Sequence, residues 1–135
     1  MSKIIPNDFS INSLVGETTT FSGEFESSGP FRIDGRFIGK INSFGKVFVG
    51  KNGFAEGMVI AKTVIIGGTF KGDIFAEENV AVLKTGKIIG NIYSSSVNME
   101  DGVLFDGECK VLSKQDMKDL LESKRKEKYN YGETK

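Results

Sequence analysis

Apolar and polar residues alternate around a central glycine at six places in the chain. Each place follows the pattern apolar–x–Gly–x–apolar, as in FKGDI at residues 70–74. Such alternation predicts a short strand, with Phe70 and Ile74 facing a core while Lys71 and Asp73 face water. The six central glycines are Gly23, Gly39, Gly57, Gly72, Gly90 and Gly107. They are separated by 16, 18, 15, 18 and 17 residues, which indicates a repeat.

A second apolar series runs between these motifs with the same period. Its members are Phe31-Arg32-Ile33, Val47-Phe48-Val49, Val64-Ile65-Ile66, Val80-Ala81-Val82 and Val97-Asn98-Met99. Their first residues are separated by 16, 17, 16 and 17 residues. Two series that keep a common period indicate one structural rung per repeat.

The repeat length selects the architecture. About 17 extended residues span roughly 55 Å, enough for a closed triangular coil of three short strands. A propeller blade needs about 40 residues and a helical repeat about 33. We therefore predict an all-β fold, a parallel β-helix (β-solenoid) of about six triangular rungs with short flexible termini, the rungs stacking about 4.8 Å apart. Glycines after the second series favour tight corners, and the central glycines indicate a bend or a crowded inner position.

Composition supports this fold and narrows the chemistry. The 135 residues include 17 glycines but two prolines, and Ile, Val and Phe outnumber Leu and Ala. The absence of histidine removes the commonest general base and metal ligand. Eighteen cationic and 18 anionic residues give zero net charge, which argues against nucleic-acid binding. No apolar run reaches the roughly 18 residues that span a bilayer, and the start lacks a signal-peptide pattern, so we expect a cytoplasmic protein.

Candidate catalytic groups are few, and we predict no catalytic residue, metal site, nucleotide or other cofactor. The single cysteine, Cys109, lacks a histidine partner, and we interpret it as a small buried core residue. The carboxylate pairs Glu77-Glu78 and Glu100-Asp101 point to opposite faces of a strand and are interpreted as solvated. An acyltransferase-like β-solenoid enzyme is disfavoured because such enzymes use a catalytic histidine.

Two segments lie outside the repeat of residues 13–112. Residues 1–12 form a short N-terminal arm, and residues 113–135 form a charged tail in which glycine nearly vanishes. Met117, Leu120 and Leu121 have i, i+3, i+4 spacing, which predicts a short amphipathic helix. The tail either docks a partner or a lipid surface, or remains solvated.

Neither end of the rod carries an obvious polar cap of the kind that solenoids usually have, unless the arm and the tail fold over the ends. Two interpretations stay open: these residues stack end to end in a filament, or they are the outermost part of the core. The apolar residues concerned are Ile11, Leu14, Val15, Phe21 and Phe25 at one end, and Val103, Leu104, Phe105 and Val111 at the other.

The motifs closely resemble those of one family. FRIDGRFIGKI at residues 31–41 is similar to the hydrophobic-R-I-D-G-x-hydrophobic-x-G-x-I signature of the bactofilins, and residues 47–53, 72–76 and 90–92 continue their spacing. The resemblance implies a right-handed β-helix that polymerises end to end without nucleotide or metal, as a bacterial cytoskeletal scaffold for cell shape or morphogenesis. It also implies a place at the inner face of the cytoplasmic membrane, with cell-wall enzymes or other morphogenesis proteins as partners besides the homopolymer itself.

The resemblance also assigns residues. Phe105 matches the family's final-rung hydrophobic residue at the polymer contact, with Leu104 and Val103 beside it, whereas Leu14, Val15 and Phe21 match the other end by position only. Met1, Lys3, Ile4 and Ile5 resemble the family's N-terminal membrane-binding peptide loosely, and a disordered arm is the alternative. The alternative function is a soluble β-solenoid adaptor that binds a partner along its flank.

Overall fold

A computed structural model describes the backbone of residues 13–126 and the side chains from residue 16 onward. Within this range ten strands precede one helix. They are β1 (Ser13–Val15), β2 (Thr20–Ser27), β3 (Phe31–Ile33), β4 (Arg36–Ser43), β5 (Lys46–Val49), β6 (Phe54–Ile66), β7 (Thr69–Val82), β8 (Lys87–Ser94), β9 (Val97–Met99), β10 (Leu104–Val111) and α1 (Lys114–Lys126).

All strand pairs are parallel, and each strand pairs with the equivalent strand one repeat away. The path β2–β4–β6–β7–β8–β10 joins the glycine motifs, so the six central glycines lie in one column. The second series pairs along β1–β3–β5–β6–β7–β9. The predicted β-solenoid and the register of its repeats are confirmed. It makes about five turns rather than six, because six stacked strands enclose only five complete repeats.

The core fills the interior of the coil. Phe70 and Ile74 are fully buried, as the alternation predicts, whereas Lys71 is exposed. Side chains in equivalent positions stack directly on one another, as Phe70 does between Ala55 and Ile88. Each inward position thus forms an apolar column along the rod, and the columns together form one continuous core.

The glycine column shows why glycine recurs at the centre of each motif. Its members have φ between 128° and 149°, a region that side chains disfavour. A Cβ at Gly72 would also overlap the carbonyl oxygen of Gly57 in the preceding rung, and a Cβ at Gly90 would overlap that of Gly72. The prediction of a crowded position is therefore confirmed, and the crowding comes from the neighbouring backbone.

The predicted amphipathic helix is confirmed in α1, which packs back onto the flank of the rod. Its N-terminus is capped by Ser113, whose Oγ accepts a hydrogen bond from the Asp116 N–H at 3.1 Å. Met117 and Leu121 are 0% and 1% exposed, and they form a second apolar cluster with Ile60 and Phe75. Neither interpretation of the tail included this packing of residues 114–126 against the chain's own strands.

Candidate functional site

The C-terminal end of the rod presents an open strand edge. The last long strand, β10, pairs with β8 along residues 104–111, and no other described strand pairs with it. Its second row of backbone N–H and C=O groups is therefore not used within the described part of the chain. Such an edge is a template for pairing with another strand.

The core is uncovered at this end. Phe105 continues the column of Phe37, Phe70 and Ile88, yet it is only half-buried, whereas those three are at most 1% exposed. Val103 is likewise half-buried and packs against the core. Since no described strand forms a rung above these residues, the final layer of the core faces outward.

Cys109 also lies in this final layer, and the prediction that it is buried was wrong. It continues the column of Ile74 and Ile92, which are fully buried, but Cys109 itself is exposed because no rung follows it within residues 13–126. Desolvation on its partly buried side nevertheless raises the pKa of its thiol. A raised thiol pKa lowers the thiolate fraction, which does not favour nucleophilic chemistry.

Exposed apolar side chains concentrate around this end. Five large apolar residues of the described chain are exposed, and four of them belong to the last two rungs: Ile89, Met99, Leu104 and Val111. Leu104 and Val111 are each 62% exposed. A shallow cleft of about 250 Å³ lies between Ile88, Ile89, Leu104 and Phe105. We name the uncovered surface of Met99, Leu104, Phe105, Cys109 and Val111 the C-terminal end face.

The N-terminal end carries an aromatic cluster. Phe21 stacks on Phe37 with ring centroids 5.1 Å apart, and Phe25 lies 4.7 Å from Phe31. Phe21 and Phe25 also contact each other edge to face at 5.9 Å, and both are half-buried. Their strand, β2, pairs with β4 and with no other described strand. Among the residues whose side chains the structure describes, this end is therefore a second open layer of apolar rings.

The structure places the predicted interface residues in two groups at opposite ends of the rod. Val103, Leu104 and Phe105 lie together in the last rung, whereas Phe21 lies in the first. The backbone of Leu14 and Val15 forms β1 beside β3, and their side chains lie outside the described residues. The predicted membrane-binding residues Met1, Lys3, Ile4 and Ile5 also lie outside them.

Sequence reasoning left Met99 out of the interface, and it named Phe25 and Val111 only as end residues. Met99 is the final member of the column Ile33, Val49, Ile66 and Val82, and its position at the end of the second series was the available signal. Its 39% exposure arises because no further repeat in the described part of the chain covers it. The C-terminal end face therefore extends beyond Leu104 and Phe105 to include Met99 and Val111.

One residue of each predicted carboxylate pair makes an ordinary structural contact. Glu100 Oε1 accepts a hydrogen bond from the Lys84 N–H at 2.8 Å, and the Glu78 carboxylate lies 3.8 Å from Lys62 Nζ. Among residues 13–126, no three His, Cys, Asp or Glu side chains are grouped so as to hold a metal ion. Nor is any helix in that range long and apolar enough to cross a membrane.

Sequence comparisons connect this geometry with proteins that polymerise. Residues 13–110 match the family model of the bactofilins, described as polymer-forming cytoskeletal. Two Myxococcus xanthus proteins are similar over 96 residues, or 71% of this chain: bactofilin BacP at 28% identity and bactofilin BacO at 26%. The matched region spans 40% of the length of BacP and 76% of that of BacO.

Solved structures agree with the sequence comparison. The cryo-EM reconstruction of Thermus thermophilus bactofilin double helical filaments matches with a TM-score of 0.63 at 28% identity, covering 74% of this chain and 99% of that one. The crystal structure of a phenylalanine-to-arginine mutant of T. thermophilus bactofilin matches with a TM-score of 0.51 at 30% identity, covering 62% and 100%. With the family model matched over nearly the whole β-solenoid, this chain belongs to the bactofilin family of polymer-forming cytoskeletal proteins.

Proposed function

We propose that this chain is a cytoskeletal scaffold whose β-solenoids stack end to end into filaments without nucleotide or metal. The observation that carries the proposal is the C-terminal end face, where an open strand edge and exposed apolar side chains coincide. Stacking a second rod there would continue the backbone ladder and cover Phe105, Leu104 and Met99. Because apolar burial contributes about 25 cal/mol per Å², no bound cofactor is needed to drive such an assembly.

The N-terminal end supplies a second contact surface for a continuous polymer. Phe21 and Phe25 are half-buried there, beside the open edge of β2. A rod with an open apolar layer at each end can bind a copy of itself at both ends, which gives linear growth. Filaments of the T. thermophilus relative are double helical. Filaments of this chain would therefore either pair side by side in the same way or carry a feature that prevents such pairing.

The purified 135-residue chain is expected to form filaments in buffer that contains neither nucleotide nor divalent cations. Negative-stain electron microscopy and high-speed pelleting would measure this, with apyrase and EDTA added to remove traces of either. A protein that remains monomeric in sedimentation at high concentration would contradict the proposal. Filaments that appear only with nucleotide would contradict its nucleotide-independent part.

We further propose that the filament lies at the inner face of the cytoplasmic membrane and serves cell shape or morphogenesis. The support is the sequence of the arm, in which Met1, Ile4 and Ile5 are apolar and Lys3 is cationic. One such arm binds a bilayer weakly, but a polymer that repeats it gains from multivalency. Cell-wall enzymes or other morphogenesis proteins are the partners that such a scaffold would position.

Deleting residues 1–5 is expected to release the polymer from vesicles containing anionic lipid, because the apolar and cationic groups of the arm are then lost. Co-sedimentation with vesicles would measure the bound fraction, which should fall to the level found without lipid. The matched control replaces Asn7 and Ser10 by alanine, which leaves residues 1–5 intact. Unchanged co-sedimentation of the deletion variant would remove the arm from the proposal.

A further inference from the structure

Helix α1 covers an apolar stripe on the outer face of the rod. Ile60, Phe75 and Tyr93 occupy equivalent outward positions in three consecutive rungs. The rings of Phe75 and Tyr93 stack with centroids 4.9 Å apart, and Ile60 and Phe75 are 0% and 3% exposed beneath the helix. Outward strand positions are normally polar, so this stripe would be an exposed apolar patch without α1. We name Ile60, Phe75 and Tyr93 the lateral stripe.

The lateral stripe is the middle part of a longer column of equivalent positions, and this column is polar at both of its ends. Glu26 and Asn42 occupy it in the first two rungs, and Lys110 occupies it in the last. Glu26 and Lys110 are exposed. The apolar residues thus occupy three of the four rungs between Glu26 and Lys110, with an anion at one end of the column and a cation at the other.

Two basic residues, Lys40 and Arg125, attach the C-terminal end of α1 to the second rung of the rod. Lys40, which is 4% exposed, donates hydrogen bonds from Nζ to the carbonyl oxygens of Lys124 and Arg125 at 3.0 and 3.2 Å. Arg125 donates from Nε to Asn42 Oδ1 at 2.9 Å, and its guanidinium lies 4.2 Å from the ring centroid of Phe44. These contacts satisfy carbonyl groups that a helix C-terminus leaves without intrahelical partners. The C-terminal end of α1 is therefore bound to the rod by hydrogen bonds, and its N-terminal end follows directly from the last strand.

The outer surface of α1 is charged. The exposed residues on this surface include Lys114, Lys118, Asp119, Glu122 and Lys126. In addition, α1 lies beyond residues 13–110, which match the family model. The helix is thus an addition to the polymer-forming domain, and it replaces an apolar flank by a charged one.

We propose that α1 is an intramolecular shield over a lateral association surface, and that the uncovered lateral stripe binds the stripe of a second copy of this chain. This inference rests on the proposed function, because end-to-end stacking repeats the stripe once per subunit. A neighbouring filament presents the same repeat, so many weak contacts act together.

The charges on the column favour a second copy in antiparallel orientation. A two-fold axis midway between Ile60 and Phe75, which is the centre of the whole six-residue column, places Ile60 opposite Phe75 and Glu26 opposite Lys110 of the other copy. The column is thus self-complementary, as the surface of a two-fold contact must be. With α1 docked, this contact is blocked and filaments remain unpaired on this face.

The test releases α1 in the full-length chain by the double substitution Met117→Asp and Leu121→Asp. Both side chains are almost fully buried, so two carboxylates there prevent docking. The matched control is Gln115→Asp with Ser123→Asp, which adds the same charge at two exposed positions of the same helix. Tryptic cleavage after Lys118 should become faster only in the first variant. An unchanged cleavage rate there would contradict the shielding contact, and with it the proposal.

Released filaments should pair or bundle, doubling the filament width in electron micrographs, whereas the control keeps the width of the wild type. Adding Ile60→Thr and Phe75→Thr to the released variant should restore that width. Adding Lys110→Glu should weaken pairing at least tenfold, and Glu26→Lys in the same chain should recover it. Released filaments of unchanged width would overturn the proposal, and pairing insensitive to Lys110→Glu would overturn the antiparallel contact.

The lateral-stripe proposal can be tested even if the chain forms no filaments. If the wild type forms no filaments, sedimentation velocity compares single rods instead. A dimer of the released variant beside a monomeric wild type and control would support the lateral stripe as a contact surface. A monomeric released variant would overturn it.

Discussion

The substitution Phe105→Arg is expected to yield folded rods that neither pellet nor form filaments. Phe105 is half-buried in the final layer of the core, and its outer side forms part of the C-terminal end face. In the isolated rod an arginine there can turn its guanidinium to water. At a junction the same charge would be buried without a partner, at a cost of several kcal/mol.

The expected rise in the critical concentration for assembly follows from the thermodynamics of association. Each 1.4 kcal/mol changes an equilibrium constant about tenfold, so the critical concentration for assembly should rise by about 100-fold or more. Pelleting across a concentration series would measure this. The matched control is Asp106→Arg, which places the same side chain at the next residue of the rung, where the side chain is exposed. Filaments of Phe105→Arg at the wild-type critical concentration would show that the C-terminal end face is not the junction.

Folding of the variant must be checked separately, because Phe105 also contacts the core. Far-UV circular dichroism should retain the β-sheet spectrum, and sedimentation should give a monomer. The T. thermophilus bactofilin yields crystals as a phenylalanine-to-arginine mutant, so a charge of this kind is compatible with a folded β-solenoid in that relative. An unfolded Phe105→Arg variant would be replaced by Leu104→Arg, since Leu104 is 62% exposed.

The substitution Gly72→Ala is expected to destabilise the rod by about 3 kcal/mol or more. Gly72 has φ of 130°, and a Cβ would overlap the Gly57 carbonyl oxygen, which belongs to rigid backbone. Relief would require two central rungs to separate, which would break the ladder between β6 and β7. Chemical denaturation monitored by circular dichroism would measure the loss as a lower transition midpoint.

The control for Gly72→Ala is Gly102→Ala. Gly102 also has a positive φ, 102°, but a Cβ there would lie 3.5 Å from its nearest neighbour, the Lys84 carbonyl oxygen. The Gly102→Ala variant therefore measures the cost of the backbone conformation alone, about 1–2 kcal/mol, without the cost of a Cβ that overlaps the neighbouring rung. Equal losses for the two variants would mean that close stacking of the glycine column does not limit stability.

The sequence determined the repeat and most of the core. Period and alternation depend on neighbours along the chain and on the rung above, so the register of Phe37, Phe70 and Ile88 was readable from spacing. The crowding at the central glycines could be predicted for the same reason, since it comes from the neighbouring rung. Phe105 was predicted at the end of the rod because the last layer of a repeat that stops has no further rung to cover it.

The exposure of individual end residues required the structure. Cys109 has the same pattern position as Ile74 and Ile92, and pattern alone predicts the same burial for all three. Burial, however, requires a rung on both sides, and the described strands place a rung on one side of Cys109. Met99 is exposed for the same reason.

Only the tertiary structure decided what covers the flank. Ile60 adjoins Val59 and Ala61 in an unbroken apolar run, so alternation does not distinguish its outward side chain from inward ones. Its burial depends on Met117 and Leu121, which lie more than 50 residues away in the sequence. Repeat spacing records contacts between equivalent positions of adjacent rungs. The docking of α1 across several rungs is not such a contact, and it follows from the three-dimensional match between two apolar surfaces.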